Sequence, residues 1–260
     1  LEENRFCLYA QEITPLGQDI EGGHIEILLR LHDESGHIIL PDSFIPAAER
    51  YGLMTSIDRW VVENVFKVIA QCTALGSDQP MAMCAINLSG STIGDDDFLA
   101  FLHEQFECYA VPPSRVCFEI TETSAISNLG SAIRFINDLK GLGCHFSLDD
   151  FCAGMSSFAY LKHLPVDFLK IDGSFVKDML DDPINRAMVE VINHIGHVMG
   201  KRTIAEFVET PQIEQALIEI GVDYAQGYII ERPQLFTCDS LLCRPKRALP
   251  LAMKAPGTFR

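Results

Sequence analysis

The feature that most limits what this chain can fold into is a rhythm of short apolar runs, longer amphipathic stretches and punctuating glycines. Eight short runs stand out, at Phe6–Tyr9, Ile25–Leu31, Met83–Leu88, Val116–Ile120, His145–Leu148, Phe168–Ile171, Thr203–Ala205 and Tyr224–Ala225. Runs of this length suit strands. Between them apolar residues recur near helical spacing: Val61, Val62, Val65, Val68 and Ile69 within Asp58–Leu75, and Ile133, Ile136 and Leu139 within Ser131–Leu142, where Gly143 marks a stop. Arg186–Met199 before Gly200 and Pro211–Ile220 before Gly221 repeat the pattern, and Pro211 suits a first helical turn. Strand, helix, glycine, strand is the rhythm of repeated βαβ units around a parallel sheet. Eight strands close a barrel, and 260 residues is the usual length of one or of two small domains. A doubly wound sheet shares the rhythm, but no glycine-rich phosphate fingerprint follows the first run, which weighs against a dinucleotide-binding fold.

Hydrophobic residues make up 48% of the chain, enough for a sizeable core. The formal net charge of -16 argues against a nucleic-acid polymer or an anionic membrane as partner. A phosphate ligand stays possible where metal ions or local arginines reverse the sign. The nine cysteines are odd in number and include no C-x-x-C pair, and several sit in apolar runs, as buried thiols do in a reducing cytosol. No run of some 18 apolar residues and no signal peptide is present, so a cytoplasmic domain, or the cytoplasmic part of a membrane-anchored protein, is expected. The start at Leu1 rather than Met suggests a domain of a longer protein. Residues 1–245 are expected to form one domain and 246–260 a tail.

Barrel enzymes place their chemistry at the C-terminal ends of strands. Polar residues gather there in this chain. The second run contains Glu26 and Arg30, the third ends near Asn87, and the fourth carries Glu119 with Glu122 after it. Asp149 and Asp150 end the fifth, Lys170 and Asp172 mark the sixth, Glu206 and Glu209 follow the seventh, and the eighth runs into Gln226. A carboxylate inside an apolar run is costly unless paired or metal-bound. Oxygen donors of this kind suit Mg²⁺ or Mn²⁺, and two such cations would clamp a phosphate and activate a water. Taken singly, each residue has a plainer reading. Any one carboxylate could cap a helix or pair with a cation, and Asp149–Asp150 could cap the next helix. Lys170 could snorkel from a strand end, and Asn87 could cap a turn with Ser89. Their joint occurrence favours a site. Glu63 and Asp95–Asp97 read as a solvated helix face and an acidic loop. The histidines form no ligand set: His32 and His37 flank a turn at Gly36, and His194 and His197 lack a third partner for zinc. No G-x-S-x-G elbow or cysteine–histidine pattern supports covalent catalysis.

The ordered motifs resemble the EAL-domain phosphodiesterases of bacterial cyclic di-GMP signalling over roughly Phe6 to Leu235. They are E-I-L at Glu26–Leu28 with Arg30, F-I-P-A-A-E-R-Y-G-L-M at Phe44–Met54, I-D-R-W-V at Ile57–Val61 and N-L-S at Asn87–Ser89. E-I-T-E at Glu119–Glu122, L-D-D-F-C-A-G-M-S-S at Leu148–Ser157, L-K-I-D at Leu169–Asp172, I-A-E-F-V-E at Ile204–Glu209 and Q-G-Y at Gln226–Tyr228 follow. The resemblance implies a modified TIM (β/α)8 barrel with an antiparallel first strand, and hydrolysis of cyclic di-GMP to linear pGpG by in-line attack of an activated water. It implies Glu26, Asn87, Glu119 and Asp149 as ligands of one metal, and Asp149, Asp150 and Glu206 as ligands of a second. Lys170 is implied to contact the attacking water or the phosphate, and Glu122 to steady the loop after Asp150. Gln11, Arg30 and Asp172 are implied substrate contacts, with Glu209 and Gln226 in support. Glu206 and Lys170 both stand as candidates to accept the water's proton. A homodimer, and GGDEF or sensor domains upstream, are also implied.

The chain departs from the family pattern at four positions. Ile27 replaces the signature alanine; strand alternation turns it away from the Glu26 face, so it is expected to be tolerated. Cys152 and Ala153 replace Gly-Thr, and Phe207 replaces a glycine beside Glu206. A positive φ at Cys152 would strain that loop. The changes at Cys152, Ala153 and Phe207 leave a second reading beside the active hydrolase, a catalytically weak or silent cyclic di-GMP receptor. An unrelated barrel metalloenzyme is a third, because fold alone does not fix function.

Overall fold

A computed structural model describes residues 5–17, 23–75, 82–152 and 159–242. The strands are β1 (Phe6–Pro15), β2 (His24–His32), β3 (Ile38–Ile39), β4 (Met83–Leu88), β5 (Val116–Thr121), β6 (His145–Phe151), β7 (Phe168–Ile171), β8 (Arg202–Ala205), β9 (Tyr224–Gln226) and β10 (Gln234–Leu235). The helices are α1 (Pro41–Arg50), α2 (Met54–Ala74), α3 (Asp96–Tyr109), α4 (Glu122–Ser127), α5 (Leu129–Leu142), α6 (Gly173–Lys177), α7 (Pro183–Val198), α8 (Pro211–Ile220) and α9 (Cys238–Leu241). All eight expected runs are strands. From β2 through β4, β5, β6, β7 and β8 to β9 every pairing is parallel. β1 closes the ring by pairing antiparallel with both β2 and β9. The architecture is thus a closed eight-stranded α/β barrel with a reversed first strand. β3 and β10 add short antiparallel edges outside it. Among the described residues no helix is long and apolar enough to cross a membrane.

Strand alternation divides the interior in two. One buried cluster fills the barrel: Ile13, Met83, Ala85, Cys117, Phe168, Ile204 and Tyr224. A larger one lies between barrel and helices and includes Ile27, as alternation requires when Glu26 faces inward. The barrel floor is capped by His24, stacked on Tyr224 at 4.6 Å and edge-on to Phe168 at 5.0 Å. Above this apolar floor the inward positions turn polar, so the chemistry is confined to one mouth of the barrel.

Two aspartates lock the opposite ends of the strands in the same way. Asp167 precedes β7 and Asp223 precedes β9, in the matching triplets Val166-Asp167-Phe168 and Val222-Asp223-Tyr224. Asp167 accepts the Phe146 backbone N–H of β6 at 2.9 Å and the Lys140 ammonium of α5. Asp223 accepts the Thr203 N–H of β8 at 2.8 Å and pairs with His197 of α7 at 2.8 Å. Each thus ties a strand to its predecessor and to a covering helix. Burial works to raise the Asp167 carboxyl, but His145, Lys140 and the Phe146 N–H hold it down at about 2. A carboxyl held below its ordinary value contributes fully above about pH 4, and the contribution fades as the pH falls towards 2. Asp167→Asn is therefore expected to lose about 2 kcal/mol at pH 7. In denaturant titrations that gap should close at pH 2.

The helix expectations hold, with starts a few residues earlier for the helices read as Asp58–Leu75, Ser131–Leu142 and Arg186–Met199. The first strand is longer than its apolar run, reaching Pro15. Asp95–Asp97 is not an acidic loop. Asp95 caps α3 by accepting the N–H groups of Asp97 and Phe98, and the other two occupy its first turn, where the helix dipole favours negative charge. Glu63 lies on an exposed face and pairs with Lys67 at 2.6 Å. The expected tail, residues 246–260, together with Cys243 and Ala153, lies outside the described residues.

Candidate active site

The mouth of the barrel is built around one buried cation. Lys170, inward on β7, is fully shielded from solvent, which excludes a snorkelling role. Its ammonium lies 2.9 Å from Glu206, 3.1 Å from both Glu119 and Asp149, and 3.5 Å from Glu26. Three strands and one loop thus converge on a single positive charge carried by a fourth strand. Glu26 is further held by amides: Asn87 donates to its Oε1 at 2.8 Å and Gln226 to its Oε2 at 2.6 Å. Asn87 therefore serves Glu26 rather than a turn with Ser89. Gln226 also donates to Gln11 Oε1 at 3.1 Å, and Gln11 donates to the Glu231 carbonyl at 2.8 Å.

A break in the strand register puts two aspartates where one would be expected. β6 pairs with β7 regularly to Leu148 and resumes at Phe151 after an irregularity. Asp149 points to Lys170, and Asp150 takes a left-handed φ of 53°. Bulges commonly re-aim side chains beside active sites. Asp149, Asp150 and Glu206 each offer an oxygen within 4.8 Å of the others, a set that could hold a metal ion.

The charges are unequal in consequence. Burial raises the Glu206 carboxyl, Lys170 opposes, and Asp149 and Glu26 add to the rise, leaving it at about 8. Glu119 is pushed well up by burial against the pull of Lys170. Burial also acts to raise Glu26, but Lys170 and the two amides prevail, and its carboxyl stays below the ordinary range. Asp150 is raised by burial and by Asp149 and Asp172. One ammonium does not neutralise this many carboxylates, and a buried oxygen of Glu119, Oε1, accepts no hydrogen bond. Added hard cations fit that deficit: the donors are carboxylate and amide oxygens, and the charge to be balanced is negative.

The polar mouth opens into a cleft of 440 Å³ lined by Gln11, Glu26, Arg30, Asp149, Glu206, Glu209 and Gln226, with apolar walls from Leu28, Leu40, Phe207 and Tyr228. Of the expected substrate contacts, Asp172 does not line it. Asp172 caps α6 by accepting the Ser174 N–H at 2.9 Å. Glu122, buried at the start of α4, does not line the cleft either. It accepts the Cys152 N–H at 3.0 Å and the Tyr160 hydroxyl, and so holds both flanks of the segment that follows β6.

Some residues around the site were not expected. Asp58, buried on α2, accepts the Ser89 N–H at 3.0 Å, the Ser89 hydroxyl at 2.6 Å and the Thr92 hydroxyl, which fixes the turn after Asn87. Its signal was an aspartate on the inner face of an apolar helix. Tyr160 offered none. Cys152 and Phe207 both have left-handed backbones, φ 68° and 53°, so the conditional expectation of strain at Cys152 is met and extends to Phe207. That conformation costs roughly 1–2 kcal/mol for a residue with a Cβ.

Comparison with known proteins gives a consistent set of likenesses. Residues 1–233 match the EAL domain family. The chain is 42% identical over 234 residues to the cyclic di-GMP phosphodiesterase PdeB of Shewanella oneidensis, covering 90% of this chain and 27% of that protein. Its structure is similar to that of PaMucR phosphodiesterase in a c-di-GMP complex, with a TM-score of 0.82, 28% identity, and coverage of 90% of this chain and 94% of that one. The FimX EAL domain from Pseudomonas aeruginosa bound to c-di-GMP also gives 0.82, with 32% identity and coverage of 90% and 92%.

Proposed function

The chain belongs to the EAL domain family, and from that premise we propose that it hydrolyses one phosphodiester bond of cyclic di-GMP to give linear pGpG, with Mg²⁺ or Mn²⁺ as cofactor. The observation that carries the proposal is the convergence of Glu26, Glu119, Asp149 and Glu206 on the buried Lys170 ammonium, beside a cleft that also holds Arg30. Glu26, Asn87, Glu119 and Asp149 would hold one cation, and Asp149, Asp150 and Glu206 a second. Bound there, the two would lower the pKa of a water and balance the charge that develops on the phosphate.

The chain's own groups do the rest. Arg30, at the cleft wall, meets a phosphate oxygen as a charge-assisted donor. Gln11 and Gln226, already linked to each other and to Glu26, orient the ligand against the carboxylates. Lys170 holds the carboxylates together and faces the attacking water or the phosphate. Of the two candidate acceptors of the water's proton, Lys170 and Glu206, Glu206 is favoured, because the four surrounding carboxylates hold Lys170 as an ammonium with no lone pair to accept it. Glu122 steadies the segment after β6 through the Cys152 N–H. Glu209 lines the cleft as a further ligand contact. Asp172, which also caps α6, is a further proposed ligand contact.

A second reading, a receptor that binds cyclic di-GMP without cleaving it, draws on the strained backbones of Cys152 and Phe207 beside Asp150 and Glu206. We also infer a homodimer and regulatory segments such as GGDEF or sensor domains in the same polypeptide, the latter supported by the 27% of PdeB that this chain spans. The expected cytoplasmic location belongs to the same proposal.

Disappearance of cyclic di-GMP is expected only with Mg²⁺ or Mn²⁺, and should stop on adding EDTA and resume when excess cation is restored. Turnover that is indifferent to EDTA would refute the metal-dependent reading.

A further inference from the structure

We infer that Phe207 is a positioning residue whose ring, docked on Gly173, holds the Glu206 loop against the segment that follows Lys170. The inference rests on the metal-site reading above. Beyond β8 the chain has no regular structure from Glu206 to Glu209, so nothing repetitive fixes Glu206. Its backbone is tied at Glu206 N–H to the Ile171 carbonyl, 3.3 Å, and at Val208 N–H to the Gln226 carbonyl, 2.9 Å. Between these ties Phe207 takes a left-handed φ of 53°, which the surroundings must over-determine.

The ring supplies that constraint. A Cβ placed on Gly173 would come within 2.1 Å of Phe207 Cδ2 and 2.7 Å of Cγ, so the ring edge sits where only glycine leaves room. The Lys177 ammonium lies 4.1 Å from the ring centroid, a cation–π contact. Gly173 and Lys177 are the first and last residues of α6, which begins three residues after Lys170. The ring therefore links the loop bearing Glu206 to the helix that follows the strand bearing Lys170, and the Glu206 and Lys170 side chains meet at 2.9 Å. Phe207 also lines the cleft while staying 49% exposed, so burying apolar surface does not by itself account for its placement.

A positioning role and a merely structural one move different quantities. Phe207→Gly removes both the backbone strain and the docked ring, so the variant should unfold at the same temperature or higher. Its Mn²⁺ affinity, titrated with the metal alone by electron paramagnetic resonance, should nevertheless fall on the order of 10-fold, as for loss of support behind a ligand. Gly173→Ala should displace the ring and produce a similar fall. The double variant should be no weaker than Phe207→Gly, because both changes remove the same contact. Phe207→Tyr keeps the dock and should keep the affinity. Mn²⁺ affinity equal to the parent's in Phe207→Gly overturns this inference and leaves the metal site standing. A parent protein that binds no Mn²⁺ overturns both.

Discussion

Lys170→Met is expected to cost the metal-free protein about 3–5 kcal/mol, because it leaves several buried carboxylates without their shared cation. The side chain that replaces it is of similar length, so the loss reflects charge rather than a cavity. In the parent, Lys170 lies within 3.5 Å of Glu26, Glu119, Asp149 and Glu206, and those four carboxylates raise its own pKa well above the ordinary lysine value against the effect of burial. Removing it should push the carboxyls of Glu26, Glu119 and Glu206 up, because the charge that opposes their burial is gone. Added Mn²⁺ should recover part of the loss, so the cation should stabilise the variant more than the parent. Urea titrations with and without Mn²⁺ measure both effects. Turnover of cyclic di-GMP should still vanish, because stability recovered by the cation does not restore the group proposed to face the attacking water or the phosphate. A variant as stable as the parent in EDTA would mean that the carboxylates are not charged in the way described.

Glu26→Gln is expected to reduce turnover at least about 10³-fold, some 4 kcal/mol of transition-state stabilisation. The change keeps the volume and one carbonyl oxygen but removes the charge. Within the site Glu26 is kept ionised: Lys170, Gln226 and Asn87 together overcome the effect of its burial. A residue whose only task was to pair with Lys170 would not need that care, since Glu119, Asp149 and Glu206 also reach the ammonium. The variant should fold normally, with a stability change of about 1 kcal/mol. Retained turnover within about 10-fold of the parent would remove Glu26 from the site.

Much of this architecture is legible in the residue order. The eight barrel strands are legible as short apolar runs, and β6, β8 and β9 each follow a helix closed by a glycine, Gly143, Gly200 or Gly221. Parallel strands buried on both faces read that way. The reversed first strand is different. Nothing in Phe6–Pro15 encodes its direction, and it came only from the family resemblance. Its extension through Gln11 and Glu12 was hidden because polar residues interrupt the apolar run. Helix α3 was obscured by three aspartates that are its start signal. Phe98, Leu102 and Phe106 form its buried face at helical spacing.

The site residues are legible because carboxylates inside apolar strands are anomalous, and Glu26, Glu119 and Asp149 all carry that anomaly. What holds them in place is much less so. Asp58, Tyr160 and the docking of Phe207 on Gly173 depend on pairs far apart in the chain, and no local spacing encodes a contact between residues 122 and 160 or 173 and 207. Asp172 carries a second task that its strand-end position did not signal: it caps the next helix.

The central claim is that these carboxylates support cleavage of one phosphodiester and not merely ligand binding. The most direct measurement is chromatographic and mass-spectrometric identification of what the protein makes from cyclic di-GMP in the presence of Mn²⁺. The account predicts a single linear product, pGpG, one water heavier than the substrate and absent in EDTA. Cyclic di-GMP bound but recovered intact after prolonged incubation would contradict it and establish the receptor reading.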